Sequence, residues 1–172
     1  SPITLDIKSE CLQVKVELED VMTHSATPLN LMKTAATTLP SIWIACGGTG
    51  GHFMPGMVVG RALEAKGYEV TYWGEGKRIE LSLCKEQKID MMRPSAGSRA
   101  KRWYSLQKLM NQQAKKAEPT AVLLFGGFSS FALGTWAVRK RVPIHLFEQN
   151  TVPGRVNRLL SLFARSVHLT FP

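Results

Sequence analysis

From Ser41 onward, short runs of apolar residues alternate with longer stretches of helical spacing. That alternation constrains the fold more than any other feature. The apolar runs are 41–46, 68–73, 89–92, 121–125, 143–147 and 167–171. Between them, 53–66, 79–87, 103–116, 129–140 and 153–165 read as helices, and Gly67 stands where a helix C-terminal glycine belongs. A strand apolar on both faces has no solvent side. It belongs in a parallel sheet covered by helices on both faces. The expectation is therefore an α/β fold with a Rossmann-like parallel sheet. Ligands of such sheets bind beyond the carboxyl ends of the strands, so the chemistry is sought in the residues that follow each strand.

A different regime precedes Pro40. Leu12, Val14, Val16 and Leu18 alternate with polar residues, as Ile3, Leu5 and Ile7 do more weakly, which predicts half-buried strands. Residues 23–40 are rich in Thr, Ala, Ser and Pro and read as a linker. The expected division is an N-terminal extension and linker of unassigned role, 1–40, and an α/β domain, 41–172.

The longest uninterrupted apolar stretch, about Ala121 to Phe125, is far short of the roughly 20 residues of a membrane span. Cys11, Cys46 and Cys84 form no CxxC pair, which argues for a reducing compartment and against structural zinc. With no signal-peptide layout at the N-terminus, the chain is expected in the cytoplasm. Net charge is +9, and eleven of the 22 basic residues lie between Lys77 and Lys116. Such a bias implies an anionic partner or simply a solvated basic face. No recognised RNA-binding motif is present, and no nucleic-acid partner is expected.

Three strand ends carry polar chemistry. After the first run comes Gly47-Gly48-Thr49-Gly50-Gly51-His52. Glycines there let a ligand approach the backbone, and the helix that follows favours an anion such as phosphate; a plain tight turn is the alternative. Neither GxGxxG nor GxxxxGK[ST] is satisfied, which argues against a nicotinamide-dependent oxidoreductase and a phosphate-loop enzyme. His52 has the reference pKa of a general base at neutral pH, although a lone histidine is often structural. Gly126-Gly127 follows the fourth run, and Ser129 or Ser130 could cap the next helix. Glu148-Gln149-Asn150 follows the fifth; these side chains could bond sugar hydroxyls, or Asn150 or Thr151 could cap a helix with Pro153 in its first turn. Lys101-Arg102-Trp103 with Leu106 and Met110 reads either as a membrane-surface patch or as an ordinary amphipathic helix.

In that order, Gly47-Gly48-Thr49-Gly50-Gly51-His52, Gly126-Gly127-Phe128 and Glu148-Gln149-Asn150-x-x-Pro153-Gly154-x-x-Asn157-Arg158 resemble the MurG family of glycosyltransferases, from about Ser41 to Pro172. The resemblance implies the N-terminal, acceptor-side half of a two-domain GT-B fold, with a C-terminal donor domain as missing partner and no turnover by this chain alone. Leu169-Thr170-Phe171-Pro172 resembles the family's interdomain junction. The implied reaction is an inverting transfer of N-acetylglucosamine from UDP-N-acetylglucosamine to the 4-hydroxyl of undecaprenyl-diphosphate-linked muramyl-pentapeptide. It uses no cofactor and no metal. Implied catalytic residues are His52 and Glu148. Implied substrate contacts are Thr49, Gly50, Gly51, Gln149, Asn150, Gly126 and Gly127. The resemblance also favours Lys101, Arg102, Trp103, Leu106 and Met110 as an anionic-membrane surface, and a peripheral location on the cytoplasmic face. A relative using another lipid acceptor, or a membrane-recruiting subunit without activity, would share these motifs. Phe147 stands where the family has histidine, Ser130-Phe131-Ala132 departs from the family's Ser-x-Pro-Gly, and residues 1–40 have no counterpart.

Overall fold

The computed structural model describes residues 4–9, 12–17, 40–48 and 50–170. Thr49, most of the predicted linker and the Phe171-Pro172 junction lie outside the described residues. Near the N-terminus, β1 (Thr4–Ser9) pairs antiparallel with β2 (Leu12–Glu17). Leu5 is opposite Val16 and Ile7 opposite Val14, so the alternating apolar positions fall in register.

From Ser41 the chain runs β3 (Ser41–Ala45), α1 (Gly50–Glu64), β4 (Glu69–Trp73), α2 (Arg78–Gln87), β5 (Met91–Met92), α3 (Arg99–Ala114), β6 (Ala121–Leu124), α4 (Gly127–Lys140), β7 (Ile144–Glu148), α5 (Arg155–Leu160), a 3-10 turn (Ser161–Phe163) and β8 (Ser166–Leu169). The six strands from β3 form one sheet in the order β5-β4-β3-β6-β7-β8, and each neighbouring pair is parallel. This is the doubly wound arrangement expected from the apolar runs. Successive connections go outward from β3 in one direction and from β6 in the other. The switch point, where a crevice opens at the strand ends, therefore lies between β3 and β6.

Alternate residues of β3 feed two cores. Ile42 and Ile44 pack with Phe53, Leu63, Tyr72 and Phe125 on one face. Trp43 and Ala45 pack with Trp73, Leu106, Met110 and Trp136 on the other. Trp43 stacks on Trp136 at 4.8 Å between centroids and tilts against Trp73 at 5.0 Å. On the first face α1 lies unusually close to the sheet. A Cβ at Gly56 would fall 2.4 Å from Cys46 Cβ, and one at Gly60 would fall 2.1 Å from Tyr72 Oη. Only glycine permits that approach.

Three helices differ from expectation. α1 starts at Gly50 rather than Phe53, so the glycine loop itself coils into the first turn, where backbone amides need no helical partner. α3 starts at Arg99 rather than Trp103, because Ser98 caps it by accepting from Lys101 N. α5 ends at Leu160, well before Arg165, and its N-cap is Gly154 rather than Asn150 or Thr151.

Removing the central indole should open a cavity between sheet and helices. Trp43→Ala is expected to lower stability by about 3–5 kcal/mol, read as a reduced urea midpoint at unchanged slope.

Candidate functional site

Four strand-end loops meet at the switch point, and side chains from outside the predicted motifs hold them together. The central one is Glu80, on the first turn of α2 and fully buried. Its Oε1 accepts from Gly48 N. Its Oε2 accepts from Glu75 N at 2.8 Å, Gly76 N at 2.7 Å and Lys77 N at 3.4 Å. One carboxylate thus binds the loop after β3 to the loop after β4. One amide of the loop that the sequence marked for a bound anion is already taken by the protein's own Glu80 side chain.

The loop after β6 is latched in the same way. Ser129 Oγ accepts from Gly47 N at 3.0 Å. Ser130 Oγ accepts from Gly126 N at 2.9 Å and donates to the Ala45 carbonyl at 3.1 Å. Glu75 Oε1 accepts from Phe128 N at 2.9 Å, and its Oε2 pairs with Lys77 at 3.1 Å. Both serines sit inside α4, which begins at Gly127, so they join loops as well as serving the helix start.

His52 stands between the two glycine loops. A Cβ on Gly126 would lie 2.9 Å from His52 Nε2, and one on Gly48 would lie 3.7 Å from Nδ1. Gly126 has φ 115°, which disfavours any other residue there as well. Burial lowers the His52 pKa below its ordinary 6.5; the carboxylates of Glu148 and Glu75 oppose this, and Lys77 adds to it. The imidazole is therefore neutral at pH 7 and able to take a proton.

Glu148 ends β7, almost wholly buried. Oε1 accepts from Asn150 N at 3.0 Å and Asn150 Nδ2 at 2.9 Å; Oε2 accepts from Gly154 N at 3.0 Å and Asn157 Nδ2 at 2.9 Å. Burial alone would raise its pKa. The hydrogen bonds from Asn150, Gly154 and Asn157 outweigh burial and hold it below 4.5. All this fixes the β7–α5 loop. Gln149 turns back to donate to the Phe147 carbonyl at 3.2 Å, and Asn150 is exposed.

The structure sets His52 against Gly126 and Gly127 against Gly47, and puts Glu148 close enough to act on His52 electrostatically; Gly50 and Gly51 precede His52 on the first turn of α1. Sequence reasoning missed Glu80, Glu75, Ser129 as a latch, and the hydrogen bond by which Asn157 of the third motif holds Glu148. Glu80 follows Lys77 at the spacing of a capping box, but without the usual Ser or Thr at its head the signal was weak.

The proposed membrane patch needs correction. Leu106 and Met110 are fully buried beneath α3 in the core with Trp43 and Trp136, so neither can meet a membrane. Trp103 is half-buried with Nε1 donating to Thr135 Oγ1. Arg102 donates to the Glu75 carbonyl at 2.8 Å and lies over the Phe128 ring. Of the five, Lys101 alone is exposed. Among the described residues, no helix is long and apolar enough to cross a membrane, and no three His, Cys, Asp or Glu side chains gather as a metal site.

Residues 42–169 match the glycosyltransferase family 28 N-terminal domain. The chain belongs to glycosyltransferase family 28. Family relatives include the UDP-N-acetylglucosamine–N-acetylmuramyl-(pentapeptide) pyrophosphoryl-undecaprenol N-acetylglucosamine transferases of Sulfurihydrogenibium sp. and Xanthomonas campestris pv. campestris. The first is 33% identical over 143 residues, 77% of this chain and 41% of the relative. The second is 35% identical over 162 residues, 86% of this chain and 37% of the relative. The chain thus spans well under half the length of these curated relatives. Among solved structures, Acinetobacter baumannii MurG matches with TM-score 0.66 and 26% identity over 77% of this chain and 42% of that one. UDP-GlcNAc 2-epimerase from Methanocaldococcus jannaschii matches with TM-score 0.58 and 15% identity over 75% of this chain and 38% of its own, a likeness of fold alone. The six-stranded sheet is the Rossmann-like sheet of GT-B glycosyltransferases.

Glu80→Ala strands four amides, two of them buried in the structure. It should cost about 3 kcal/mol or more, at roughly 1–3 per buried donor left unpaired, measured by urea unfolding. For Glu148 the folded pKa lies below the ordinary 4.5. Its stabilisation is present above that pH and is lost as pH falls through the depressed value. Glu148→Gln should therefore flatten the acid limb of the stability–pH curve, and an unchanged limb would show that the carboxylate is not held low.

Proposed function

We propose that the chain is the acceptor-side domain of an inverting hexosyltransferase of peptidoglycan synthesis. It moves N-acetylglucosamine from UDP-N-acetylglucosamine to the 4-hydroxyl of a lipid-linked muramyl-pentapeptide. The reading is supported by the names of the relatives. The observation that carries it is the neutral His52 imidazole held between two glycine loops at the switch point.

In the proposed step, His52 takes the proton of the acceptor hydroxyl as that oxygen bonds to the anomeric carbon. The bond from that carbon to the UDP oxygen breaks, and UDP leaves with the electron pair. The charges of Glu148 and Glu75 favour the imidazolium that results. Glu148 is a positioning residue here, because its oxygens already take four donors and its pKa is low. The first turn of α1, with Gly50 and Gly51, together with Gly126, Gly127, Gln149 and Asn150, contributes the substrate contacts of this reading. Pro55 deprives the Gly51 carbonyl of its usual helical donor, leaving an acceptor in that turn.

The domain acts with a donor-side partner domain and sits peripherally on the cytoplasmic membrane face. The exposed Lys101, Tyr104 and Lys108 of α3 form the contact with anionic lipid.

The test mixes this chain with a separately expressed family donor domain, labelled UDP-N-acetylglucosamine and the lipid-linked acceptor. Transfer should fall about 10²–10⁴-fold in His52→Ala. Because the His52 pKa is lowered, the wild-type rate should hold as pH drops to 6.5 and decline only below it. Absence of transfer with intact acceptor binding would point instead to a recruiting subunit.

A further inference from the structure

Glu75 follows β4 and is buried, and its two carboxylate oxygens serve different neighbours. Oε1 faces inward and accepts from Phe128 N at 2.9 Å. A Cβ on Gly127 would lie 3.1 Å from it, and one on Gly48 would lie 3.0 Å away. That same point beside Gly48 is 3.7 Å from His52 Nδ1. The inner oxygen and the imidazole therefore border one gap, and residue 48 has no side chain to fill it. Gly48 has φ 116°, so its backbone also disfavours a residue that would close the gap.

Oε2 faces outward. Lys77 Nζ, at the start of α2, lies 3.1 Å from it, and the Arg102 guanidinium of α3 lies 3.9 Å from it. Arg102 also donates to the Glu75 carbonyl at 2.8 Å, and Glu75 N donates to Glu80 Oε2 at 2.8 Å. Backbone and carboxylate are thus fixed together. The Glu75 side chain is only 6% exposed, so its charge is weakly screened. A fixed, poorly screened charge needs no reorganisation when a proton moves beside it. A neutral amide oxygen would latch Phe128 N as well as a carboxylate does. The charge, and the two cations that hold it, serve something more than the latch.

Charged side chains from three parts of the fold act on His52. Burial is the largest influence on the imidazole and favours its neutral form. Glu148 at the end of β7 and Glu75 in the loop after β4 favour the imidazolium, and Lys77 opposes it. Glu148 is engaged within its own loop, where four donors occupy its oxygens. Glu75 instead joins His52 to α2, α3 and α4.

We propose that Glu75 is a positioning residue of the transfer. Its carboxylate supports the charge on His52 across the gap at Gly48. Lys77 is the opposing counter-charge, and Arg102 is the hold that α3 exerts on the carboxylate. The proposal rests on the reading of His52 as the base and adds to it the side chains that set the strength of that base.

The test is NMR titration of the histidine rings in the full chain, with the His52 signals assigned by their loss in His52→Ala. Glu75→Gln keeps an acceptor for Phe128 N and removes the charge. It should lower the His52 pKa by about one unit, and Glu75→Asp, which keeps the charge, should restore most of that shift. Lys77→Gln, at a half-exposed position, should raise the pKa. A latch without an electrostatic role predicts neither shift. In the transfer assay with the donor domain, Glu75→Gln should lower kcat about three- to ten-fold and leave KM for UDP-N-acetylglucosamine nearly unchanged. A His52 pKa indifferent to Glu75→Gln, or one that fails to rise in Lys77→Gln, would overturn the proposal. Thermal melts accompany each variant, and if Glu75→Gln does not fold, the sign of the Lys77→Gln shift decides. Shifts of the expected sign with transfer undiminished in His52→Ala would remove the reading of His52 as the base and leave its tie to Glu75. Loss of transfer in His52→Ala without those shifts would do the reverse.

Discussion

A carboxyl group withdrawn from water is tolerated only where donors replace the water it has lost. Glu80 has four such donors, all backbone amides, drawn from the loops after β3 and β4. The geometry of the site depends on this arrangement. Loops rich in glycine gain freedom as well as access, and that freedom must be removed for a ligand to meet a fixed surface. Glu80 removes it from below. Ser129 and Ser130 remove it from the side, binding Gly47, Gly126 and Ala45 into one unit. Glu75 then carries the network outward, to Lys77 at the start of α2, Arg102 on α3 and the Phe128 amide on α4.

The sheet supplies the rest. Doubly wound topology puts the ends of β3 and β6 side by side, so two glycine loops distant in sequence become neighbours. Gly56 and Gly60 let α1 lie close against the sheet, and its first turn carries His52 into the crevice. Gly126 is glycine because the imidazole occupies the space a side chain would need. Spacing, topology and close packing therefore converge on one ring.

Most of the fold was legible in the sequence because it follows from burial. Strands buried on both faces favour apolar runs, and 42–45, 121–124 and, apart from His145, 144–147 show it. Helix ends were less legible. The start of α3 depends on the Ser98 cap, and that of α1 on glycines that a reading of propensity assigns to a loop. The glycine loops and His52 were legible as a candidate site, since each follows a strand. Glu80 was not, because an isolated glutamate on a helix reads as surface until the loops that fold over it are known. The membrane patch shows the same limit. Leu106 and Met110 share α3 with exposed lysines, and only the position of the sheet decides that they point inward.

The charges of Glu148 and Glu75 act on His52, and the contrast between Glu148 and His52 lies in their surroundings. Glu148 is surrounded by amide donors, so its charge persists although it is almost wholly buried. His52 is partly desolvated between two glycine backbones, so its charge is disfavoured at rest. In the proposed step this arrangement suits a base: it is empty before the proton arrives, and the imidazolium is stabilised once it does. Neither condition would hold if Glu148 were free to take the proton itself. The saturated hydrogen bonding that makes Glu148 a poor base is what keeps its charge in place to support a better one.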